Sequence, residues 1–187
     1  KTETHLQIEG ALPWEFMKKI KPRQFPSPPV SWADGYQFPS FDAFEGPLLE
    51  MAGAWFQSEE RYHEAALEVF RRLYEEQGVR YLETSFASGV VEFMGLDGAK
   101  VAEALKRAAP SRMELRVFMG IHHDGYTKGS KPFIDECLSW DALDGLDLHG
   151  TETVPLESWT LPLWEQARSA GKLTKAHAGE FCGPGFI

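Results

Sequence analysis

The sequence predicts an α/β fold in which short strands alternate with helices to build a parallel sheet. The clearest helical segment is 58–77, where apolar side chains recur at steps of three and four and so form one buried face. Four short strand-like segments follow one another roughly every thirty residues, as expected of successive strand–helix units. These segments span 79–86, 114–121, 145–149 and 172–178. Residues 2–8 add an opening strand.

Residues with known roles at helix ends mark the limits of the predicted helices. Ser58 can cap the first helix, and Gly78 can adopt the left-handed conformation that ends it. Asp97 is expected to cap a second helix. Thr160 is expected to cap a third helix, which Gly171 ends.

The interval between the first two strands is much longer than the others. Residues 11–57 are rich in proline and aromatic residues, which predicts an extended crossing segment flanked by short helices. Such a segment is an insertion that can act as a lid over one face. A further short helix is expected near 132–138. We therefore treat residues 1–187 as one domain with an inserted segment.

Composition and charge exclude several classes of protein. The 19 Lys and Arg residues against 28 Asp and Glu residues give a net charge of −9, and no basic stripe is evident, so nucleic acid is not an expected partner. No apolar stretch approaches the roughly 20 residues that span a bilayer, so no membrane association is expected. Two cysteines are too few for a disulfide framework, and we expect a reducing, cytoplasmic location.

Polar residues cluster where the predicted strands end, which is where parallel α/β folds place reactive groups. Because strand side chains alternate, His5, Gln7 and Glu9 are expected to share one face of the first strand. His177 and Glu180 follow the last strand, where small neighbouring residues allow another group to approach the backbone. These two groups of residues predict a site at one edge of the sheet.

Two further groups are less specific. The fourth strand ends in the sequence Asp147–Glu152, and Tyr81 alternates with Glu83 in the second strand. In the first of these, His149 is expected to pack or donate a hydrogen bond and not to bind a metal. The run 122–124 (His-His-Asp) looks like a metal cluster, but adjacent strand residues point to opposite faces, so at most one of its histidines can face the site.

In this order the motifs resemble the adenosine and adenine deaminase branch of the metal-dependent amidohydrolases, over essentially the whole chain. The segments that carry the resemblance are Lys1–Gly10, Tyr81-x-Glu83, Gly145–Glu152 and His177–Glu180. The resemblance implies a (β/α)8 barrel of the TIM type with one zinc ion at its C-terminal mouth, of which this sequence holds about five strand–helix units. It also implies that the complete protein removes the amino group of an aminopurine by hydrolysis, with adenosine, adenine or a related nucleoside as substrate.

The resemblance also implies roles for individual residues. His5 and His177 match two zinc ligands. Glu180 matches the acid that protonates a nitrogen of the purine ring, and Gly150 matches a backbone amide that holds another ring nitrogen. Glu9 matches an acidic position near the sugar or the ring edge.

The sequence departs from the family pattern in two respects. Gln7 stands where the family has a second histidine, and an amide oxygen is a much poorer zinc ligand than imidazole. The family also draws a catalytic histidine from strand 6 and a metal-binding aspartate from strand 8, so we expect the 187-residue chain alone to be inactive. Five strands cannot close a barrel, and the open edges favour a complementary chain segment or a homo-oligomer.

The same residues allow other interpretations. His5 and Gln7 can be a hydrogen-bonded pair that lines a barrel, and His177 with Glu180 can be a capping loop with a surface carboxylate. The first alternative function is therefore a relative that binds a purine without converting it, because Gln7 weakens the metal site. The second is an inactive structural fragment. Zinc content separates the enzyme from the binding protein, and a size measurement tests the fragment.

Overall fold

The computed structural model describes residues 1–180 and 182–187, without the side chains of Phe41 and Asp42. In this part of the chain, five strands form one sheet in the order β1-β2-β3-β4-β5, and every neighbouring pair is parallel. The strands are β1 (Thr2–Gln7), β2 (Tyr81–Ala87), β3 (Glu114–His122), β4 (Gly145–His149) and β5 (Leu173–Ala176). Each strand lies beside the one that precedes it in the chain, and the sheet curls into a half-barrel. The predicted fold class is confirmed.

The helices connect the strands and cover the outside of the sheet. They are α1 (Trp14–Ile20), α2 (Phe41–Trp55), α3 (Glu59–Glu75), α4 (Ser88–Met94), α5 (Gly98–Arg107), α6 (Lys131–Glu136) and α7 (Thr160–Ser169). Short 3-10 turns lie at Ile8–Gly10, Val30–Trp32, Cys137–Ser139 and Pro184–Phe186. None of the helices in the described residues has the length and apolar character that a membrane crossing requires.

Two of the predicted helix starts are confirmed by their capping contacts. The Ser58 hydroxyl accepts a hydrogen bond from the backbone N–H of Arg61, and the Asp97 carboxylate accepts one from Lys100. Gly78 has φ +73°, the left-handed conformation expected after the helix. These caps hold α3 and α5 with their apolar faces on the core.

The prediction for Thr160 is wrong. Thr160 is the first residue of α7, the helix is preceded by Trp159, and no side chain caps it. The Thr160 hydroxyl is buried and has no hydrogen-bond partner. The physical reason is burial: the side chain packs into the core beside the helix and does not turn back to the free amides.

The segment 11–57 also differs from its prediction. It contains a fifteen-residue helix, α2, with Pro47 inside it, where short flanking helices were expected. Ser40 caps α2 by accepting a hydrogen bond from the backbone N–H of Ala43. Ala52 and Trp55 of α2 are buried in the core. Packing of this face outweighs the cost of a proline in the helix.

The Lys175 side chain of β5 reaches the backbone of β1, although the two strands are not paired in the sheet. The Lys175 ammonium donates to the Thr4 carbonyl at 3.2 Å and lies 3.4 Å from a carboxylate oxygen of Glu83. It also lies 4.1 Å from the ring centroid of Phe118. Among the described residues, the outer edges of β1 and β5 pair with no further strand. The curvature therefore brings the ends of these strands into one site.

Candidate metal centre at the mouth of the half-barrel

Three side chains that can bind a metal ion converge at the carboxyl ends of the strands. They are His5 of β1, Asp147 of β4 and His177, which follows β5 directly, and we call them the histidine–aspartate cluster. The two histidine Nε2 atoms are 2.7 Å apart. The Asp147 carboxylate lies 3.8 Å from Nε2 of His5 and 3.6 Å from Nε2 of His177.

The parallel register explains why these residues meet. Asp147 pairs with Lys175 and Leu148 with Ala176, so the backbone N–H of His177 donates to the Leu148 carbonyl at 2.8 Å and extends the ladder by one residue. The small residue Ala176 keeps this strand end clear. His177 therefore stands beside Asp147, and the curl of the sheet brings His5 over both.

The environment of Asp147 indicates that its buried carboxylate needs a cation beside it. Its side chain is completely buried, and Ser85 donates a hydrogen bond to Oδ2 at 2.7 Å. The other oxygen, Oδ1, is buried without any hydrogen-bond partner. A buried carboxylate is costly unless a cation or several donors compensate it. Two imidazoles and a carboxylate are also a common ligand set for zinc in proteins.

Electrostatics couple the members of the cluster. The Asp147 carboxylate raises the pKa of His177 against the effect of burial, and Glu180 adds to this rise. Burial, and then the neighbouring His177, lower the pKa of His5. Burial alone would raise the pKa of Asp147, but its contacts with His177 and Ser85 keep that pKa below its usual value. Asp147 therefore favours the protonated form of His177.

The predicted acid, Glu180, lies next to the cluster. Its Oε2 atom is 3.4 Å from Nδ1 of His177, and its side chain is half exposed to the mouth. The backbone N–H of Glu180 donates to Oε1 of Glu152 at 3.1 Å, and that of Cys182 donates to Oε2 at 2.9 Å. Glu152 is only 6% exposed, so a buried carboxylate on the loop after β4 holds the loop after β5 in place.

Glu9 is positioned by a turn and not, as predicted, by the first strand. Strand β1 ends at Gln7, and Glu9 lies in the 3-10 turn Ile8–Gly10, so strand alternation does not place it. Its Oε1 atom accepts hydrogen bonds from the hydroxyl of Tyr62 at 2.7 Å and from the backbone N–H of Ala87 at 2.9 Å. Burial raises the pKa of Glu9, which these two hydrogen bonds only partly offset.

Gly150 begins the loop after β4 in a conformation that favours glycine. Its φ is +98°, and a Cβ atom there would lie 2.9 Å from Nδ1 of His122. His122 faces the mouth, whereas His123 turns away and places Nδ1 2.7 Å from the Val154 carbonyl oxygen. The two adjacent histidines therefore point in different directions, as the sequence predicts.

His149 packs in the site and does not join the cluster. Its ring centroid is 4.3 Å from that of His122, and its Nε2 atom is buried without a hydrogen-bond partner. Burial lowers the pKa of His149 to about 3, so the ring is neutral. Gln7 lines the same mouth, half-buried, and its amide makes no hydrogen bond with a described residue.

Asp147 and Glu152 begin and end a motif that the sequence singles out, but neither is predicted as a site residue. Asp147 is flanked by leucines in a strand that is buried along most of its length, and a carboxylate in such a strand is a signal of a functional charge. Glu152 gives no such signal, because loop acids are usually solvated. Only the fold shows that it accepts hydrogen bonds from the loop after β5.

Two adjoining cavities open at the mouth. The smaller one, which we call the mouth cavity, has a volume of about 190 Å³ and is lined by all the predicted site residues: His5, Gln7, Glu9, Gly150, His177 and Glu180. The larger one, which we call the annex, has a volume of about 730 Å³ and lies between α2, α4 and the loop after β3. Residues of α2, which lies in the segment 11–57, line both cavities.

Solved structures with the same fold are deaminases. The chain superposes on the N6-methyl-AMP deaminase from Arabidopsis thaliana with a TM-score of 0.72 and 18% sequence identity, covering 99% of this chain and 59% of that one. Arabidopsis ADAL complexed with GMP and with IMP gives TM-scores of 0.69, at 17% identity, with 100% of this chain and 60% of each structure covered. The chain therefore has the fold of these enzymes, in agreement with the family that its motifs resemble.

These matches cover the whole of this chain but only part of the other proteins. The chain spans about 60% of the length of the structures it matches. No protein-family model matches the chain, and the comparison with curated proteins gives no significant match. At these identities the agreement lies in the fold alone.

Proposed function

We propose that the protein that carries this chain removes the amino group of a purine by metal-dependent hydrolysis. The observation that carries the proposal is the histidine–aspartate cluster, with Glu180 beside it, at the carboxyl ends of the strands. Reactive groups of (β/α) barrels lie at this end. The deaminases of the same fold, including proteins solved with GMP and IMP, support a purine as the substrate.

The donor set fits a zinc ion. His5, Asp147 and His177 would hold it through two imidazole nitrogens and one carboxylate oxygen, and the unpartnered Oδ1 of Asp147 is compensated when a cation is present. When bound, zinc supplies a water molecule that is nucleophilic near neutral pH. Asp147 orients the His177 ring and, in the absence of the ion, raises the pKa of His177.

The remaining residues act on the purine. Glu180 carries a proton to a ring nitrogen as water adds to the amino-bearing carbon, because its carboxyl group lies at the rim of the cluster and is open to the mouth cavity. Glu152 fixes the backbone from which Glu180 projects. The backbone N–H of Gly150 donates to another ring nitrogen, and the Glu9 carboxyl contacts the far edge of the ring or the sugar.

Gln7 favours one alternative function. It occupies a position on the same face as His5 where the resembled family has a second histidine, and an amide is a weak zinc ligand. A relative that binds a purine without turnover would keep Glu9 and Gly150 and lose metal affinity.

Association with a complementary segment or a second copy stays a prediction, because the outer edges of β1 and β5 are open among the described residues. A size measurement tests it. Cys137 and Cys182 are both free, which supports a reducing, cytoplasmic location.

The test is ammonia release from aminopurines by the zinc-loaded protein that carries this chain. We expect deamination of at least one aminopurine, and Glu180→Gln should lower the single-turnover rate by about a hundredfold or more while zinc content stays normal. Glu165→Gln, an exposed glutamate of α7, is the matched control and should leave the rate unchanged.

One result would contradict the proposed activity, and two would contradict the role given to Glu180. Absence of turnover in a folded, zinc-loaded protein favours the purine-binding alternative if purines still bind. Normal turnover in Glu180→Gln removes this residue from the role of acid. Loss of zinc in Glu180→Gln would show that the carboxylate supports the metal and does not transfer the proton.

A further inference from the structure

Lys175 and Glu83 form a charged pair inside the half-barrel, in the layer of side chains directly below the histidine–aspartate cluster. Lys175 lies on β5, two residues before His177, so the two side chains share a strand face. Glu83 has the same relation on β2 to Ser85, which donates to Asp147. Bulky branched apolar side chains dominate such layers in (β/α) barrels, so a charged pair at this place indicates a specific role.

The two charged groups are largely enclosed, and both are well supplied with contacts. Their side chains are 21% and 18% exposed, and the Lys175 ammonium lies 3.4 Å from Oε2 of Glu83. The other carboxylate oxygen, Oε1, accepts a hydrogen bond from the hydroxyl of Tyr81 at 2.7 Å. The ammonium also donates to the Thr4 carbonyl at 3.2 Å and lies 4.1 Å from the ring centroid of Phe118. Contacts from β1, β2 and β3 therefore fix its place.

Each member of the cluster lies next to a position that Lys175 contacts or occupies. Thr4, whose carbonyl accepts the hydrogen bond from the ammonium, directly precedes His5. Asp147 pairs with Lys175 in the parallel register of β4 and β5. His177 follows Lys175 on the same strand face. One side chain is therefore linked to the backbone from which all three candidate ligands project.

Strands β1 and β5 need such a link, because they lie at opposite ends of the sheet order β1-β2-β3-β4-β5. Twist between neighbouring strands accumulates across a sheet, so small changes at each pairing add up to a shift of His5 relative to His177. Two imidazole nitrogens that bind one zinc ion must each lie about 2.0–2.1 Å from it, which leaves little room for such a shift. A contact that spans the half-barrel opposes it.

We propose that Lys175 is a positioning residue for the metal centre, and that it holds β1 and β5 at the separation at which His5 and His177 bind one ion. The inference rests on the proposed function, because it requires the cluster to hold the metal. Glu83 compensates the charge of the ammonium, so that this charge does not repel an ion in the layer above. Lys175 acts through the two strands and is not itself a ligand.

The experiment removes the link between the strands and leaves the net charge unchanged. In the protein that carries this chain, the double variant Lys175→Met with Glu83→Gln replaces the ion pair by two uncharged side chains of similar size. Such replacements are often neutral for stability, so the variant should fold, which urea unfolding without metal checks. In competition with a chromophoric chelator, its zinc affinity should fall by about tenfold or more, the effect typical of residues that support a metal ligand.

Lys172 provides the matched control. Its ammonium donates to the carbonyls of Trp140 at 2.9 Å and Leu143 at 2.6 Å, close to the amino end of β4 and away from the cluster. Lys172→Met loses backbone contacts of the same kind and should lower the urea midpoint. Its zinc affinity should change by less than about tenfold, because these contacts hold none of the candidate ligands.

A conservative variant tests the contact with β1 itself. Lys175→Arg keeps a donor for the Thr4 carbonyl and a positive charge opposite Glu83, so it should retain most of the zinc affinity that the double variant loses. If the double variant does not fold, Lys175→Gln with Glu83→Gln takes its place. It keeps polar side chains at both positions, and glutamine is shorter than lysine, so the link to Thr4 is still lost.

The results separate a positioning role from a structural one. Unchanged zinc affinity in the double variant, or an equal loss in Lys172→Met, would show that Lys175 supports only the fold and would overturn the inference, while the metal centre stands. A loss in Lys175→Arg as large as that in the double variant would remove the donor to Thr4 from this role and also overturn it. If the unchanged protein binds no zinc, the proposed function fails and the inference fails with it.

Discussion

Replacement of Asp147 by Asn removes the charge at the centre of the histidine–aspartate cluster and leaves its shape unchanged. The carboxylate lies 3.6 and 3.8 Å from the two Nε2 atoms. At about 4 Å and an effective dielectric constant of about 20, two unit charges interact by about 4 kcal/mol, and a divalent ion roughly doubles this gross value. Desolvation offsets part of it. Residues that only support a ligand typically contribute 10–100-fold to metal affinity, so a direct ligand should contribute more than about a hundredfold.

The assay is competition for zinc between the protein and a chromophoric chelator. Asp147→Asn should keep its fold, because Ser85 can donate to the amide oxygen as it does to the carboxylate. Asp141→Asn, at an exposed position, is the matched control and should bind zinc normally. Thermal unfolding of each variant without metal checks the fold. A loss of less than about tenfold in Asp147→Asn would refute a direct role for this residue in holding the ion.

Three further predictions concern neighbouring residues. Gln7→His should raise zinc affinity by about tenfold or more in the same chelator competition, because imidazole replaces a weak amide donor on the strand face of the cluster; unchanged affinity would show that Gln7 does not face the ion. Burial raises the folded-state pKa of Glu9, so its charged form destabilises the fold above the unfolded pKa of 4.5. Glu9→Gln should therefore raise the Tm at pH 7 by about 2–4 °C, and this gain should disappear as the pH falls below 4.5. An equal gain in Tm at pH 7 and below pH 4.5 would show that the buried charge of Glu9 is not the cause. Glu152→Ala should lower the free energy of unfolding by about 1–3 kcal/mol in urea denaturation, because the backbone N–H groups of Glu180 and Cys182 lose their acceptor. An unchanged urea midpoint would mean that water replaces the carboxylate as acceptor.

The parts of the fold that follow local rules could be predicted from the sequence. Ser58 and Asp97 are capping residues at the start of strongly amphipathic helices, and both caps form as expected. In the short strand 145–149, Leu146 and Leu148 alternate with Asp147 and His149, and its predicted limits agree with β4. Local pattern and tertiary packing favour the same structure at these positions.

The parts that depend on tertiary packing could not be predicted in the same way. Pro47 argues against a long helix, but α2 forms because its buried face packs on the core. Thr160 has the residue type of a cap, but its hydroxyl is buried in the core. In both cases packing decides between local conformations that differ by a few kcal/mol or less.

The candidate site shows the same division. Alternation along a strand predicts that His5 and Gln7 share a face, and both line the mouth cavity. Alternation fails at Glu9, because the strand ends two residues earlier and a 3-10 turn takes over. The contact between His5 and Asp147 joins strands that are far apart in the sequence, and it follows only from the curl of the sheet.

The metal centre is tested most directly by X-ray absorption at the zinc edge of the zinc-loaded protein. The cluster predicts one zinc ion per chain with two imidazole nitrogens at about 2.0–2.1 Å and carboxylate or water oxygen at about 2.0–2.2 Å. The imidazole signal should fall to one ring in His5→Ala and also in His177→Ala. A sulfur neighbour at about 2.3 Å, or a shell of oxygen atoms alone that neither substitution changes, would contradict a metal centre formed by His5, Asp147 and His177.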